Sequence, residues 1–249
     1  MSAPKKEAGK VPPKPNPVCT TCEVRCAALF GSLKGPALAR VQDEVEDIEL
    51  SANDRIYGPG DAGKDVYTVR SGMVRFERHT ERGDLRIVRV AGRGDLIGLE
   101  ALLQRPYTDE ALCCGPVKLC RIPCALIDRL ADEQGALRRE LMLRWQTTLE
   151  ASETWVANLA TGPARRRMLR MLSMLCELGQ PDGTIWLPRR EKIGAMLDLT
   201  FETASRLVSQ MRREGILDLT TPRLARVDVQ ALREAMAAQD AEGPHSATA

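Results

Sequence analysis

Between about residues 45 and 125 the chain alternates apolar and polar positions in short runs. These read RIYGPGD, VYTVRSGMVRFERHT, LRIVRVAGRGDLIG and VKLCRIP. Gly60-Asp61, Ser71-Gly72, Arg82-Gly83-Asp84 and Gly94-Asp95 interrupt them at roughly ten-residue spacing, which predicts an antiparallel β-barrel or β-roll. From about 125 the period lengthens. ALIDRLADEQ predicts a short helix, and after Gly135 neither proline nor glycine interrupts the run to Ala160, so a long helix follows. Leu137, Leu141, Trp145, Thr148, Ser152, Trp155 and Leu159 fall near one stripe of it. A stripe of that length is covered by the molecule's own core or by a partner helix. The reading adopted is a homodimer seam of Leu141, Trp145, Thr148, Ser152 and Trp155. Glu153 lies beside it, where like charges meet across a two-fold axis and oppose pairing.

Gly162-Pro163 ends the long helix and opens a third region. In RRRMLRMLSMLCEL, Met168, Leu172 and Leu175 fall at i, i+4 and i+7, which makes Cys176 a core thiol by default. EKIGAMLDLTFETASRLVSQMRREGIL then reads as two helices joined by a tight turn. Ile193, Met196 and Leu197 give the first an apolar face, and Ala204, Leu207, Val208 and Met211 do so for the second. Thr200 is a good N-cap, with Thr203 three residues on. Phe201, Glu202, Ser205, Arg206 and Ser209 stay on the open side. Arg can be bidentate to guanine and a carboxylate can accept from cytosine N4, so the second helix suits a major groove. An ordinary amphipathic helix pair is the plainer alternative. ILDLT and LARVDV, separated by Thr221-Pro222, read as a β-wing.

Charge supports that placement. The 249 residues hold 36 Lys+Arg and 34 Asp+Glu, for a net of +2. Residues 162–226 hold 12 basic against 7 acidic residues, whereas residues 1–161 hold 23 of each. The positive balance is local, which marks the third region as the nucleic-acid candidate. Aromatic residues at 4% argue against binding by base stacking. No apolar run is long enough to span a bilayer. The proline- and lysine-rich start has no apolar secretory core, so a cytoplasmic, membrane-free protein is expected. No Ser/His/Asp set or phosphate loop is visible, and two histidines supply little general base, so an enzyme is not expected.

The eight cysteines remain. Cys19, Cys22 and Cys26 are spaced C-x2-C-x3-C. Cys113, Cys114, Cys120 and Cys124 lie in the predicted roll, and Cys176 stands alone. In a reducing compartment structural disulfides do not persist, and the cysteines point instead to metal or redox chemistry. Three clustered thiolates and one distant partner can converge on a zinc or iron–sulfur centre. A dithiol switch, a set of idle thiols, and a haem on His79 are the other readings. Cys113, Cys114 and Cys124 flank a predicted strand and read as packing.

GPGDAGKDVYTVRSGMVRF and GRGDLIG in the roll, followed by IGAMLDLTFETASRLVSQMRREGIL, resemble the CRP/FNR family of bacterial transcription regulators. The likeness runs from about Cys19 to Ala237, and E-x-x-S-R (Glu202, Ser205, Arg206) points to the FNR branch. It implies an α+β architecture: an N-terminal antiparallel β-roll of cyclic-nucleotide-binding type, a long dimerisation helix and a C-terminal winged helix-turn-helix. The corresponding segments are a disordered tail (1–18), a cysteine segment (19–30), the roll (31–134), the dimerisation helix (135–161), the DNA-binding domain (162–237) and a second disordered tail (238–249). The resemblance implies binding of double-stranded DNA at a TTGAT-type palindrome through Glu202, Ser205 and Arg206, with Thr200 and Thr203 beside them. It implies contact with RNA polymerase, and a [4Fe-4S] oxygen sensor on Cys19, Cys22, Cys26 and Cys120. Cys120, in KLCRIP, holds the family's fourth-ligand position. Two departures stand out: Cys22 and Cys26 are closer together than in the best-known enterobacterial members, and Asp198 replaces the glycine usual at the helix-turn-helix turn. Cyclic nucleotide is not expected, because Asp109 and Glu110 in IGLEALLQRPYTDEAL stand where a phosphate needs cations.

Overall fold

The computed structural model describes Val24, residues 29–31, Leu33, residues 35–179 and residues 182–241. The predicted N-terminal tail, Cys19, Cys22 and Cys26, and most of the C-terminal tail lie outside the described residues. A short helix α1 (Gly35–Glu44) precedes eight strands: β1 (Glu46–Leu50), β2 (Arg55–Tyr57), β3 (Asp65–Ser71), β4 (Val74–His79), β5 (Leu85–Ala91), β6 (Leu96–Ile97), β7 (Glu110–Cys113) and β8 (Val117–Pro123). They form two four-stranded sheets, ordered β1-β8-β3-β6 and β2-β7-β4-β5, with the described ladders antiparallel. This is the roll that the glycine punctuation predicts.

Strand β3 is buried over five consecutive residues rather than at alternate ones. Apolar partners cover both of its faces, so Val66 and Val69 share one core with Leu119 and Ile122 of β8. Helix α2 (Cys124–Glu133) closes that core with Leu126, Ile127 and Leu130. Leu29, Phe30 and Leu33 enter the same core, so the end of the cysteine segment is anchored on the roll. Inside it Tyr57 stacks on Tyr107 at 3.9 Å between ring centroids. The Tyr107 hydroxyl donates to the Asp65 carbonyl at 2.6 Å, which satisfies the polar end of a buried ring.

Helix α3 (Gly135–Leu159) runs from the roll to the C-terminal domain. There α4 (Ala164–Leu178), β9 (Thr184–Trp186), α5 (Arg190–Leu197), α6 (Phe201–Arg213), the wing β10 (Leu217–Thr221) and β11 (Leu224–Val227), and α7 (Val229–Ala241) share a second core. Helix α7 extends the ordered chain to Ala241, beyond the point where the sequence suggests a polar tail. It packs along α4, where Arg170 meets Asp240 at 2.8 Å.

The two cores meet. Met73, Ile87, Val90 and Cys114 of the roll belong to the same buried cluster as the helices of the C-terminal domain. Cys113, one residue earlier, belongs to the roll's own core.

Gly72 has φ +84°, and a Cβ there would stand 2.4 Å from the Pro116 carbonyl oxygen. Gly60 has a similar φ of +81° with open space around it. Gly60→Ala should therefore cost about 1 kcal/mol in denaturant unfolding, the left-handed penalty alone. Gly72→Ala should cost at least about 1 kcal/mol more, because a backbone atom must also move.

Candidate nucleic-acid interface

Helix α5 ends at Asp198, which has φ 53° and ψ 54°. The amide of Leu199 then reaches back to the Gly194 carbonyl at 3.2 Å. Arg167 of α4 donates Nη1–H to the carbonyl of Leu197, holding the same turn from outside. A Cβ on Gly194 would lie 2.6 Å from the Leu199 carbonyl, so the two helices close tightly only with glycine there. Helix α6 starts at the predicted cap: the Thr203 amide donates to Thr200 Oγ1 at 3.2 Å. The two hydroxyls also meet at 3.1 Å. Thr200 and Thr203 are thus engaged with each other at the cap.

Ala204, Leu207, Val208 and Met211 are buried as expected. Phe201, Glu202, Arg206 and Ser209 are exposed, and Ser205 is half-buried with its carbonyl accepting from the Ser209 hydroxyl at 3.0 Å. Glu202, Ser205 and Arg206 fall at i, i+3 and i+4, so they share one face of the helix.

Around this helix the arginines sort into two groups. Arg165 pairs with Glu214 at 2.7 Å and Arg170 with Asp240 at 2.8 Å. Arg189, Arg190, Arg206, Arg212 and Arg213 have no ion-pair partner among the described residues. Burial and the nearby Arg212 hold the Arg190 guanidinium below its ordinary pKa. Arginines left without ion-pair partners form a surface suited to phosphates. Sequence reasoning singled out only Arg206 of these five; the regional charge balance was the signal for the rest.

Several residues of the predicted seam on the long helix also have neighbours within this chain. Leu137 and Leu159 are fully buried in the two cores, Leu141 packs on the roll, and Trp155 packs on the C-terminal core. Trp145, Thr148, Ser152 and Trp155 line a cavity of about 720 Å³ between the roll, α3 and α5. The large apolar side chains that α3 leaves exposed are Met142, Leu143, Trp145, Leu149 and Val156. Met142, Leu149 and Val156 recur every seven residues, with Trp145 and Ser152 between them. Glu153 is exposed beside that line.

Arg78, Arg86, Arg89 and Arg105 line the cavity together with Glu100, Asp109 and Asp198. Asp109 is paired with Arg78 at 2.6 Å and Glu110 with Arg55 at 3.5 Å. Both carboxylates expected to repel a phosphate are therefore neutralised, and that argument against a nucleotide loses its force.

Cys120 lies mid-strand on β8, opposite Asp47 of β1 and Thr68 of β3. Its half-buried Sγ is 3.5 Å from Asp47 Oδ1, and Arg70 meets the same carboxylate at 2.7 Å. Cys113 and Cys114 are buried, and burial pushes each thiol up to about 12. Burial pushes Cys124 up to about 11, and it also raises Cys176. Among the described residues no group of three or more Cys, His, Asp or Glu side chains is arranged to hold a metal. Val24, midway between Cys22 and Cys26 in the chain, is buried. His79 sits at the exposed end of the β4–β5 hairpin, its Nδ1 3.4 Å from the Gly83 carbonyl and outside the cavity lining.

Residues 47–134 match the cyclic nucleotide-binding domain family. Residues 166–235 match the Crp-like helix-turn-helix domain family. The chain belongs to the CRP/FNR family. Electron transport regulator A of Shewanella oneidensis is 23% identical over 208 residues, covering 81% of this chain and 83% of that one. A fumarate and nitrate reduction regulatory protein of Vibrio cholerae is 24% identical over 209 residues, covering 81% and 83%. The structure of FixK2 from Bradyrhizobium japonicum matches with a TM-score of 0.67 at 25% identity, over 76% of this chain and 96% of that one. A CRP-family regulator from Thermus thermophilus gives 0.65 at 20% identity, with the same coverage. This CRP/FNR member is a DNA-binding transcription regulator rather than an enzyme. None of its described helices is long and apolar enough to cross a membrane.

Removing the α6 cap should be felt locally. Thr200→Ala leaves the Thr203 amide without its acceptor, and urea unfolding should show a loss of about 1 kcal/mol.

Proposed function

We propose that this chain is an oxygen- or redox-responsive cytoplasmic regulator that binds a TTGAT-type palindrome as a homodimer and holds a [4Fe-4S] cluster on Cys19, Cys22, Cys26 and Cys120. The observation that carries the DNA half is the open face of α6, with Glu202, Ser205 and Arg206 on one side of a helix flanked by unpaired arginines. Glu202 can accept from a cytosine amine while Arg206 donates to a guanine edge, and the arginines hold the flanking phosphates. The names of the matched relatives, an electron transport regulator and a fumarate and nitrate reduction regulator, support an anaerobic role.

Pairing in this reading runs along α3. Met142, Leu149 and Val156 at seven-residue spacing, with Trp145 and Ser152 between, make a seam of alternating three- and four-residue steps. Leu141 and Trp155 are occupied with this chain's own cores and contribute from the flank, as Thr148 does. Glu153, exposed at the edge of that seam, faces its copy across the two-fold axis and keeps the dimer weak enough to be switched. A dimer so built presents two reading helices about one DNA turn, roughly 34 Å, apart.

For the sensor half, ligation needs a thiolate, and burial keeps Cys113 and Cys114 protonated. Cys120 is the half-buried thiol on the strand between β1 and β3, with Arg70 offsetting the charge of neighbouring Asp47. Buried Val24 and the Leu29–Phe30 pair give the cysteine segment footholds on either side of Cys26. A bound cluster would supply an oxygen-labile tether between that segment and β8. Contact with RNA polymerase belongs to the same reading, and cyclic nucleotide is not needed for it.

Anaerobic purification should give a brown protein containing iron and acid-labile sulfide that air bleaches. Cys120→Ala should lose the iron and the colour, while Cys114→Ala should keep both; a colourless, iron-free parent protein refutes the sensor. In fluorescence anisotropy with a TTGAT palindrome, affinity should fall steeply with salt. Arg206→Ala should weaken binding by about 1–3 kcal/mol and relax base preference at one position of each half-site.

A further inference from the structure

Reading DNA and holding thiolates leave unexplained a charged bridge between the roll and the helix-turn-helix. Glu77 of β4 is 6% exposed. It accepts from Arg75 Nε at 2.7 Å and from Lys192 Nζ of α5 at 2.5 Å. Arg75 is itself fixed to the roll, donating to the Cys113 carbonyl at 3.0 Å and to Asn53 Oδ1 at 3.3 Å. Near it, Arg86 of β5 meets Asp198 at 2.7 Å. Asp198 is the departure noted in the sequence: it has φ 53°, a conformation that glycine adopts without strain. An aspartate there tolerates the turn and also places a carboxylate on the roll. The turn that aims α6 is thus tied to β5, and the helix before it is tied to β4.

We propose that Arg86 and Glu77 are positioning residues for DNA reading. They clamp Asp198 and Lys192 so that α6 is held at one orientation to the roll and to α3. The inference rests on the dimeric DNA-binding reading above. A dimer gains from its second half-site only when both reading helices arrive at the right separation, and looser mounting lowers the effective concentration of the second contact. The first contact, made by α6 itself, is unaffected. Phe201, Glu202 and Arg206 remain exposed while the clamp is closed, so the contact presents the reading face rather than covering it. Of the two ties, Glu77–Lys192 is the better shielded, because the Asp198 side chain is 70% exposed and its ion pair is screened by solvent.

The test uses full-length protein purified without oxygen and two duplexes, a TTGAT palindrome and a single half-site. Glu77 is left intact, since removing it would strand buried Arg75. Arg86→Ala, on the roll and away from the reading face, and Asp198→Asn, which still tolerates the turn, are measured singly and together by anisotropy. Each single variant should weaken palindrome binding by about three- to tenfold and leave half-site binding unchanged. The double variant should be no weaker than either single one, and Arg86→Lys should bind as the parent does. Palindrome binding by Arg86→Ala that equals the parent's overturns the proposal. Tighter binding overturns it in favour of an autoinhibitory contact. Losses that add in the double variant, or that fall equally on the half-site, overturn it too. A parent protein that binds neither duplex refutes the DNA-reading premise, a failure seen before any variant is compared.

Discussion

Everything in this molecule hangs on a helix whose two ends are buried in different places. Leu137 at the start of α3 is sealed in the roll's core, and Leu159 at its end is sealed in the core of the helix-turn-helix. The separation is about 33 Å along the helix axis. Between these anchors the helix turns one face to the shared cavity and leaves Met142, Leu149 and Val156 open. A rod fixed at both ends cannot rotate to hide those residues without pulling a leucine out of a core, at a cost of several kcal/mol. The open face is therefore enforced by the burial at the ends.

That constraint orders the rest. The roll supplies a stiff base, with stacked tyrosines and strand β3 covered on both faces. The C-terminal domain supplies a reading helix that buries Ala204, Leu207, Val208 and Met211 internally, so Phe201 and the polar and charged side chains remain for a partner. The arginines that fold the domain are paired with Glu214 and Asp240. Arg189, Arg190, Arg206, Arg212 and Arg213, without an ion pair among the described residues, sit on the two helices of the helix-turn-helix and just before them.

Local signals were legible in the sequence, and distant ones were not. Glycine-acid turns spaced along residues 45–125 gave away the roll because a turn needs its own residues within reach. Thr200 was legible as a cap for the same reason. What covers the α3 stripe was not legible, because a periodic pattern reports that a stripe is apolar, not which neighbour lies on it. Leu141 and Trp155 satisfy the spacing of a seam and also pack, half-buried, against this chain's own cores. The Glu77–Lys192 contact joins residues 115 positions apart, and no pattern in either segment marks it. Asp109, read with Glu110 as a carboxylate that would repel a phosphate, has its partner Arg78 31 residues away on β4.

Cys113 and Cys114 are consecutive residues that belong to two different cores. A single peptide link is therefore the whole distance between the interior of the roll and that of its neighbour. Cut after α3, the roll would carry Met73, Ile87, Val90 and Cys114 into water as a contiguous oily scar. The roll is consequently ill-suited to life as a separate soluble piece, and its solubility depends on the DNA-reading half lying over it.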